Sequence, residues 1–229
     1  MDIIKALAEE LNIGRHQAEA AVKLIDEGNT IPFIARYRKE ATGSLDDEVL
    51  RNLDERLKYL RSLEERKEQV IASIRDQEKL TPELEEKIGQ AQTLVAVEDL
   101  YRPYRPKRRT RAIIAREKGL EPLADLISMQ MVREPLEQAA QAYVSEEKGV
   151  ATAEEAIQGA KDILAERISD NAEYRAYIRK VTVDKGSLQS AAKDEKTKSV
   201  YEMYYSYEEP VKKAAGHRVL ALNRGENEK

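Results

Sequence analysis

The residues best suited to chemistry in this chain are cations that crowd into one stretch near its middle. Between Arg102 and Lys118, a stretch that we call the basic segment, there are eight basic residues and one acid, whereas the whole chain of 229 residues carries a net charge of −4. Such a concentration is the electrostatic footprint of a contact with a polyanion. The candidate nucleic-acid-binding residues are therefore Arg102, Arg105, Lys107, Arg108, Arg109, Arg111 and Arg116.

Two prolines control how these cations are displayed. Pro103 and Pro106 exclude a regular helix through the first part of the segment, so we expect the guanidinium groups on an irregular loop. Tyr101 and Tyr104 in the same loop are candidates for stacking on bases. If all six cations between residues 102 and 111 met duplex phosphates, the logarithm of the binding constant would fall against the logarithm of salt concentration with a slope of about −5. The competing interpretation is that the arginines pair with carboxylates on the Glu-rich long helix and its neighbour, and the residues alone leave both open.

The composition excludes several other kinds of site. The chain has no cysteine, which rules out disulfides, thiolate catalysis and cysteine zinc sites. His16 and His217 are the only histidines, so no histidine metal cluster is expected, and no glycine-rich phosphate loop is present. The acids are dispersed along polar helix faces without the apolar surroundings that raise a carboxyl pKa for acid–base work. We therefore expect no catalytic residue, no metal, no cofactor and no enzymatic activity.

Helix-forming residues dominate the chain, which has only 10 glycines and 7 prolines. The predicted fold is all-α, a multi-helix bundle with a helix-turn-helix-like start and one long spine helix. Residues 2–27 carry two helical repeats broken at 12–14, an arrangement that serves packing more often than DNA reading. Residues 44–81 contain no glycine or proline and predict a spine of about 36 residues, roughly 54 Å long.

The remaining segments give more local expectations. A short helix should follow Pro32, with Phe33, Ile34 and Tyr37 on one face, and dock this aromatic side on the core. Residues 184–199 are polar and predict a linker or a weak helix, and residues 219–223 form the most strand-like stretch. The tyrosines between 201 and 207 predict core or a docking surface. These patterns suggest three regions, with bounds 1–79, 80–200 and 201–229.

No apolar run reaches the roughly 18 residues that span a bilayer, and the N-terminus lacks a secretory layout. A cytoplasmic protein without membrane contact is the expectation.

Three stretches resemble the bacterial Tex family of transcription accessory proteins. Residues 31–43 resemble the N-terminal signature of that family, and residues 98–111 with 115–124 resemble its second signature. Residues 217–226 resemble the segment that leads into the RNase-H-like domain of these proteins. The resemblance covers essentially the whole chain.

The resemblance implies both an architecture and a role. In that family a helical N-terminal region precedes a YqgF-type nuclease-like domain, helix-hairpin-helix repeats and an S1-type RNA-binding domain, and residues 201–229 would connect to the first of these. Tex proteins act in transcription, bind nucleic acid and are similar to eukaryotic elongation factors of the Spt class. The implied partners are RNA or DNA, RNA polymerase and the remaining C-terminal domains. The alternative is a protein-interaction scaffold that docks those domains or RNA polymerase without binding nucleic acid itself.

Overall fold

A computed structural model of the protein describes residues 2–130, 134–194 and 196–228. The chain forms two compact units, unit 1 ending at Arg105 and unit 2 starting at Pro106. This division differs from the boundaries expected after residues 79 and 200. The helices that follow residue 79 share the hydrophobic core of the long helix, and the chain that follows residue 200 returns to pair with a strand before it. Neither expected boundary therefore separates two independent cores.

Unit 1 is built from helices around one long central helix. Its described residues form α1 (Ile3–Glu10), α2 (Arg15–Asp26), α3 (Ile31–Tyr37), α4 (Asp47–Asp76), α5 (Pro82–Gln90) and α6 (Leu94–Tyr101), followed by a 3-10 turn at Arg102–Tyr104. The first two helices meet at a turn over residues 11–14, as the broken repeat predicted, and Leu7 and Ala18 are fully buried between them and their neighbours. This helical pair therefore contributes to the core of unit 1.

The central helix α4 confirms the predicted spine but is shorter at both ends. It has 30 residues, which corresponds to about 45 Å. Ser44 cannot cap it because its backbone has a positive φ of 63° and its amide is bonded to Lys39, so Asp46 caps the helix instead. At the other end Glu78 has a φ of 56° and turns the chain before α5. The leucines of α4 at three-and-four spacing are buried as the pattern requires: Leu50, Leu53, Leu57, Leu60 and Leu63.

The expectation for the short helix α3 is wrong in one respect. Ile34 is fully buried, but Phe33 and Tyr37 are 36% and 62% exposed. A helix of two turns presents only one narrow side to the core, and Ile34 occupies that side. The two aromatic rings, four residues apart, lie together on another side of the helix.

Unit 2 packs its helices around α10. Its described elements are α7 (Arg111–Glu117), α8 (Glu121–Ser128), α9 (Leu136–Gln141), α10 (Ala153–Asp170), α11 (Ala172–Lys185), β1 (Ser187–Ala191), β2 (Ser206–Pro210) and α12 (Gly216–Asn227). Small residues of α10, including Ala156 and Ala160, allow α7 and α8 to approach closely. A Cβ atom at Gly159 would overlap Leu120 Cδ1, which shows how tight this packing is.

Two local expectations in unit 2 are wrong. Residues 187–191, within the predicted linker, form a strand that pairs antiparallel with β2. Ser187 lies opposite Pro210 and Ala191 lies opposite Ser206. Residue 195 of the predicted linker lies outside the described residues. Side chains alternate between exposed and half-buried along both strands, a pattern that the polar composition concealed. Residues 219–223 belong to helix α12, because Leu and Ala are strong helix formers.

The mostly helical fold class is confirmed, with one small two-stranded sheet added among the described residues. None of the helices described is both long enough and apolar enough to cross a membrane.

Candidate nucleic-acid interface

The first part of the basic segment is attached to unit 1 through its tyrosines. Tyr101 is buried, and its hydroxyl lies 3.0 Å from Ser73 Oγ on α4. Tyr104 is half-buried, and its carbonyl accepts a hydrogen bond of 3.0 Å from Gln77 Nε2. Tyr101 is therefore a core residue and offers no free face to a base, contrary to the sequence expectation.

The two arginines of this part point into solvent. Arg102 and Arg105 are both exposed. Within the described part of the chain, the side chain of Arg105 forms no hydrogen bond or ion pair. Arg105 can therefore meet an external anion without first leaving an internal partner.

In unit 2, three side chains of the basic segment converge on one carboxylate of α10. Arg116 Nη1 donates a hydrogen bond of 2.7 Å to Glu166 Oε1, and Thr110 Oγ1 donates one of 3.0 Å to the other oxygen, Oε2. Lys107 Nζ lies 3.5 Å from Glu166 Oε1 and also pairs with Asp170. The same Thr110 hydroxyl accepts from the amide of Ile113 and so caps α7. Lys107 and Arg116 are thus anchoring residues for the segment.

The environment of Glu166 keeps it ionised. Burial, which leaves its side chain 15% exposed, would raise the pKa of this carboxyl group. The hydrogen bonds from Arg116 and Thr110 and the positive charges of Lys107 and Arg116 outweigh burial, so the pKa of Glu166 lies below its ordinary value of 4.5. A carboxylate held in this way secures its cations and is unsuited to donating a proton near neutral pH.

The carboxylates that receive these cations form a row on α10, which sequence reasoning missed. Asp162, Glu166 and Asp170 are spaced four residues apart and therefore share one face of the helix. The expected ion-pair partners were on the long helix and its neighbour, whereas this row lies 50 to 63 residues after the cations that it pairs with. The four-residue spacing of the acids was the available signal.

The other arginines of the segment in unit 2 remain accessible. Arg109 pairs with Glu117 at 2.8 Å but is 70% exposed, and Arg111 lies 4.0 Å from Asp162 and is 85% exposed. Arg108 is exposed and has no side-chain partner within residues 106–130, 134–194 and 196–228. Exposed ion pairs contribute little to stability. These three guanidinium groups are therefore free to exchange their neighbours for phosphate oxygens.

Chemically, the arrangement offers charge-assisted hydrogen bonds to an anion. Guanidinium groups bind phosphate through paired N–H donors. The described residues contain no cluster of three or more His, Asp or Glu side chains placed to hold a metal ion.

Comparison with known proteins agrees with the resemblance found in the sequence. Residues 1–75 match a Tex-like protein N-terminal domain, and residues 132–229 match a Tex central region-like domain. YdcI of Bacillus subtilis is 51% identical over 97% of this chain and 31% of its own length, and Protein tex of Bordetella pertussis is 48% identical over 97% of this chain and 28% of its own. Transcriptional accessory protein Tex of Neisseria gonorrhoeae is 44% identical over 100% of this chain and 30% of its own length.

The chain spans less than a third of the length of these relatives. Two domain models of one family match the chain, one at each end, and the relatives are similar over nearly all of it. The chain therefore belongs to the Tex family.

Proposed function

We propose that this chain is the N-terminal helical module of a Tex-type transcription accessory protein and that it contributes to nucleic-acid association through the exposed arginines of the basic segment. The observation that carries the proposal is the contrast within unit 2 between anchored and accessible cations. Lys107 and Arg116 fasten the segment to α10, while Arg108, Arg109 and Arg111 project into solvent.

Anchoring of the segment lowers the entropic cost of binding a phosphate. Ordering a flexible arginine-rich loop on binding would cost conformational entropy, and that cost is lower when the backbone is already held. Thr110 and Glu166 hold the start of α7, so the arginines on either side of Thr110 begin from a defined backbone position. An anion can then accept charge-assisted hydrogen bonds from these arginines without a change in the conformation of the loop.

The role in transcription rests on family membership and on one relative's name. Transcriptional accessory protein Tex is similar to this chain over the whole length of this chain and over 30% of its own length. We assign the same process to the protein of which this chain forms part, and with it a cytoplasmic location and association with RNA or DNA.

The proposal assigns no catalytic step to this chain. Glu166, the half-buried carboxylate of the candidate interface, has a pKa lowered by its cationic neighbours and serves as their anchor. A hydrolase assay on nucleotides and on RNA, with the purified chain, tests this part of the proposal, and turnover above a blank would contradict it.

The test of binding compares two variants of equal charge. Fluorescence anisotropy measures association of the chain with labelled single-stranded RNA, single-stranded DNA and duplex DNA at low salt. One variant replaces Arg108, Arg109 and Arg111 by Gln, and the control replaces three exposed lysines of unit 2, Lys180, Lys212 and Lys213, by Gln. Circular dichroism confirms that each variant retains its helices.

We expect the arginine variant to bind at least about tenfold more weakly than the control, because each lost phosphate contact removes a charge-assisted hydrogen bond. Equal binding by the two variants would contradict a role for these arginines. Stronger binding to RNA than to DNA, or the reverse, identifies the preferred nucleic acid.

A second candidate function is that of a protein-interaction scaffold, and one observation favours it. No described residue after Ile163 is buried, yet this part of unit 2 carries large apolar side chains. Tyr174, Tyr177 and Ile178 of α11 are each more than half exposed. Such a surface suits the docking of another domain or of RNA polymerase.

Binding to purified RNA polymerase separates the two candidates. A scaffold function predicts that Tyr177→Ser together with Ile178→Ser abolishes capture of the polymerase while nucleic-acid binding is kept. Val95→Ser, which removes an apolar side chain of similar exposure from unit 1, is the matched control. Unchanged capture by the α11 variant would contradict docking through this surface.

A further inference from the structure

The helix α3 and the residues after it carry a group of exposed aromatic and basic side chains that the proposed function does not use. We call this group the α3 patch; it consists of Phe33, Arg36, Tyr37, Arg38 and Lys39. It lies in unit 1, within the segment that resembles a family signature.

The aromatic rings of the patch are paired with each other and with arginines. The ring centroids of Phe33 and Tyr37 are 5.3 Å apart, with the planes tilted by 45°. The guanidinium carbon of Arg38 lies 5.4 Å from the Phe33 centroid, and that of Arg36 lies 6.0 Å from the Tyr37 centroid. Cation–π contact holds each guanidinium near its ring but leaves its N–H donors unsatisfied.

The cations of the patch differ from most other arginines of unit 1 in lacking carboxylate partners. Arg15, Arg51, Arg56, Arg61 and Arg75 each pair with an Asp or Glu of the same unit. Over residues 2–105, by contrast, the side chains of Arg36, Arg38 and Lys39 form no ion pair. In a unit where carboxylates outnumber cations, this leaves a local excess of positive charge.

The backbone behind the patch is fixed by a network of hydrogen bonds. The amide of Thr42 and its hydroxyl both donate to the carbonyl of Arg38, at 3.2 and 3.3 Å. Gln17 Nε2 lies 3.2 Å from the Thr42 carbonyl and 3.1 Å from that of Gly43. Gly43 has a positive φ of 61°, and a Cβ there would press against the Gln17 side chain. The patch is therefore presented by a preorganised turn, which lowers the entropic cost of binding.

We propose that the α3 patch is a docking site for a short acidic segment of a partner protein, with carboxylates of that segment on Arg36 and Arg38 and one large apolar side chain against Phe33 and Tyr37. Tyr and Arg are the residues most enriched among those that dominate protein interfaces. The two oxygens of a carboxylate match the paired N–H donors of a guanidinium. In the α3 patch a neighbouring ring already restricts the orientation of each guanidinium. The charge complementarity follows directly from the absence of internal carboxylate partners at this patch.

Two features favour a protein segment over a nucleic-acid strand. Bases bind aromatic platforms by stacking on ring faces, and here a guanidinium already lies by each ring while the two rings are mutually tilted. In addition, residues 1–105 carry 17 basic and 22 acidic side chains, so a polyanion longer than the patch would meet repulsion from the rest of the unit. A segment with a few carboxylates fits within the patch.

The test uses a defined peptide in place of the unknown partner. A fluorescein-labelled peptide of about twelve residues, in which aspartates flank one phenylalanine and one leucine, is titrated with the chain at low salt, where exposed charges are least screened. A peptide with asparagine in place of each aspartate and a single-stranded DNA of the same net charge serve as comparison probes. The variants are Arg36→Gln with Arg38→Gln, Tyr37→Ser, and the control pair Arg51→Gln with Arg75→Gln, which removes the same charge from exposed positions of unit 1.

We expect the aspartate peptide to bind the wild type and the control pair alike, and to bind the Arg36/Arg38 variant at least about tenfold more weakly. Tyr37→Ser should weaken binding about threefold or more, through the lost apolar contact. Equal binding of the asparagine peptide, an unchanged affinity of the Arg36/Arg38 variant, or no binding to the wild type would overturn the proposal. Tighter binding of the DNA, lost in the Arg36/Arg38 variant, would overturn it in favour of a nucleic-acid surface. The Arg108, Arg109 and Arg111 variant should bind the peptide normally, which keeps this result separate from the proposed function.

Discussion

Arg116 of α7 donates a hydrogen bond of 2.7 Å to Glu166 of α10, the carboxylate that also receives Thr110 and lies 3.5 Å from Lys107. This contact helps to hold the helix at the end of the basic segment against the central helix of unit 2. It divides the cations of the segment into two groups. Lys107 and Arg116, which pair with Asp170 and Glu166, stabilise the fold. The exposed arginines Arg108, Arg109 and Arg111 are left for an external anion.

The anchoring role predicts a loss of stability when the charge of Glu166 is removed. Glu166→Gln keeps the volume of the side chain but leaves Arg116 and Lys107 with weaker partners. The free energy of unfolding should fall by about 1–2 kcal/mol, because hydrogen bonds to charged groups contribute more than neutral ones. Urea denaturation followed by circular dichroism measures the change. Glu147→Gln, at an exposed loop position, is the control and should leave stability within about 0.5 kcal/mol of the wild type. A loss of the same size in both variants would argue against a specific anchor.

The same carboxyl group predicts a pH dependence with a definite sign. Because the pKa of Glu166 is lower in the folded state than its ordinary value of 4.5, its ionised form stabilises the fold. That contribution is fully present above the unfolded pKa and is lost as the pH falls through the folded pKa. The stability difference between the wild type and Glu166→Gln should therefore stay constant from neutral pH to about pH 5 and shrink at lower pH. Unfolding curves at a series of pH values measure it, and a difference that grew on acidification would refute the assignment.

The surroundings of two helical glycines, Gly159 and Gly89, predict opposite effects of substitution by alanine. Gly159→Ala should destabilise unit 2 by about 1–3 kcal/mol, because the new methyl group overlaps the buried Leu120 and crowds Ala115. Gly89→Ala should stabilise unit 1 by about 0.5–1 kcal/mol, because a Cβ there has no neighbour within 4 Å among the described residues and alanine is a better helix former. Urea denaturation of both variants tests the pair. A stabilising Gly159→Ala would mean that the helices are less tightly packed than described.

A buried lysine on the long helix gives a further prediction for unit 1. Lys67 Nζ donates hydrogen bonds of 2.8 Å to Glu64 and 2.9 Å to the carbonyl of Gly89, near the end of α5. Lys67→Met fills the same space but removes both bonds, so we expect a loss of about 1–3 kcal/mol, because the Gly89 carbonyl loses its hydrogen bond and Glu64 loses this cation. Lys58→Met, at an exposed position of the same helix, should change the free energy of unfolding by less than about 0.5 kcal/mol. Equal effects of the two substitutions on thermal or urea unfolding would contradict this role.

Much of the fold was predictable because helix periodicity is a local signal. The leucines of α4 identified the spine, although the helix begins at Asp47 rather than near residue 44. The strand β1 was not predictable from its own composition, since Ser187–Ala191 becomes a strand only by pairing with residues almost twenty positions away. The exposure of Phe33 depends on which side of a two-turn helix meets the core, and no pattern in seven residues decides that.

The candidate site was predictable only in part for a similar reason. The charge of the basic segment is visible in the sequence, but the row of acids that divides it into anchors and exposed arginines lies 50 to 63 residues after the cations that it pairs with. The burial of Tyr101 was not predictable either, because it depends on contacts with α4 that the local sequence does not encode.

The most direct test of the central claim is the salt dependence of nucleic-acid binding. The logarithm of the binding constant for a DNA duplex is measured against the logarithm of salt concentration, for the wild type and for the variant with Gln at Arg108, Arg109 and Arg111. If each of these arginines neutralises one phosphate, the slope of the variant should be shallower by about 2.7. Two parallel lines would contradict the account, because the exposed arginines would then make no contact with phosphates.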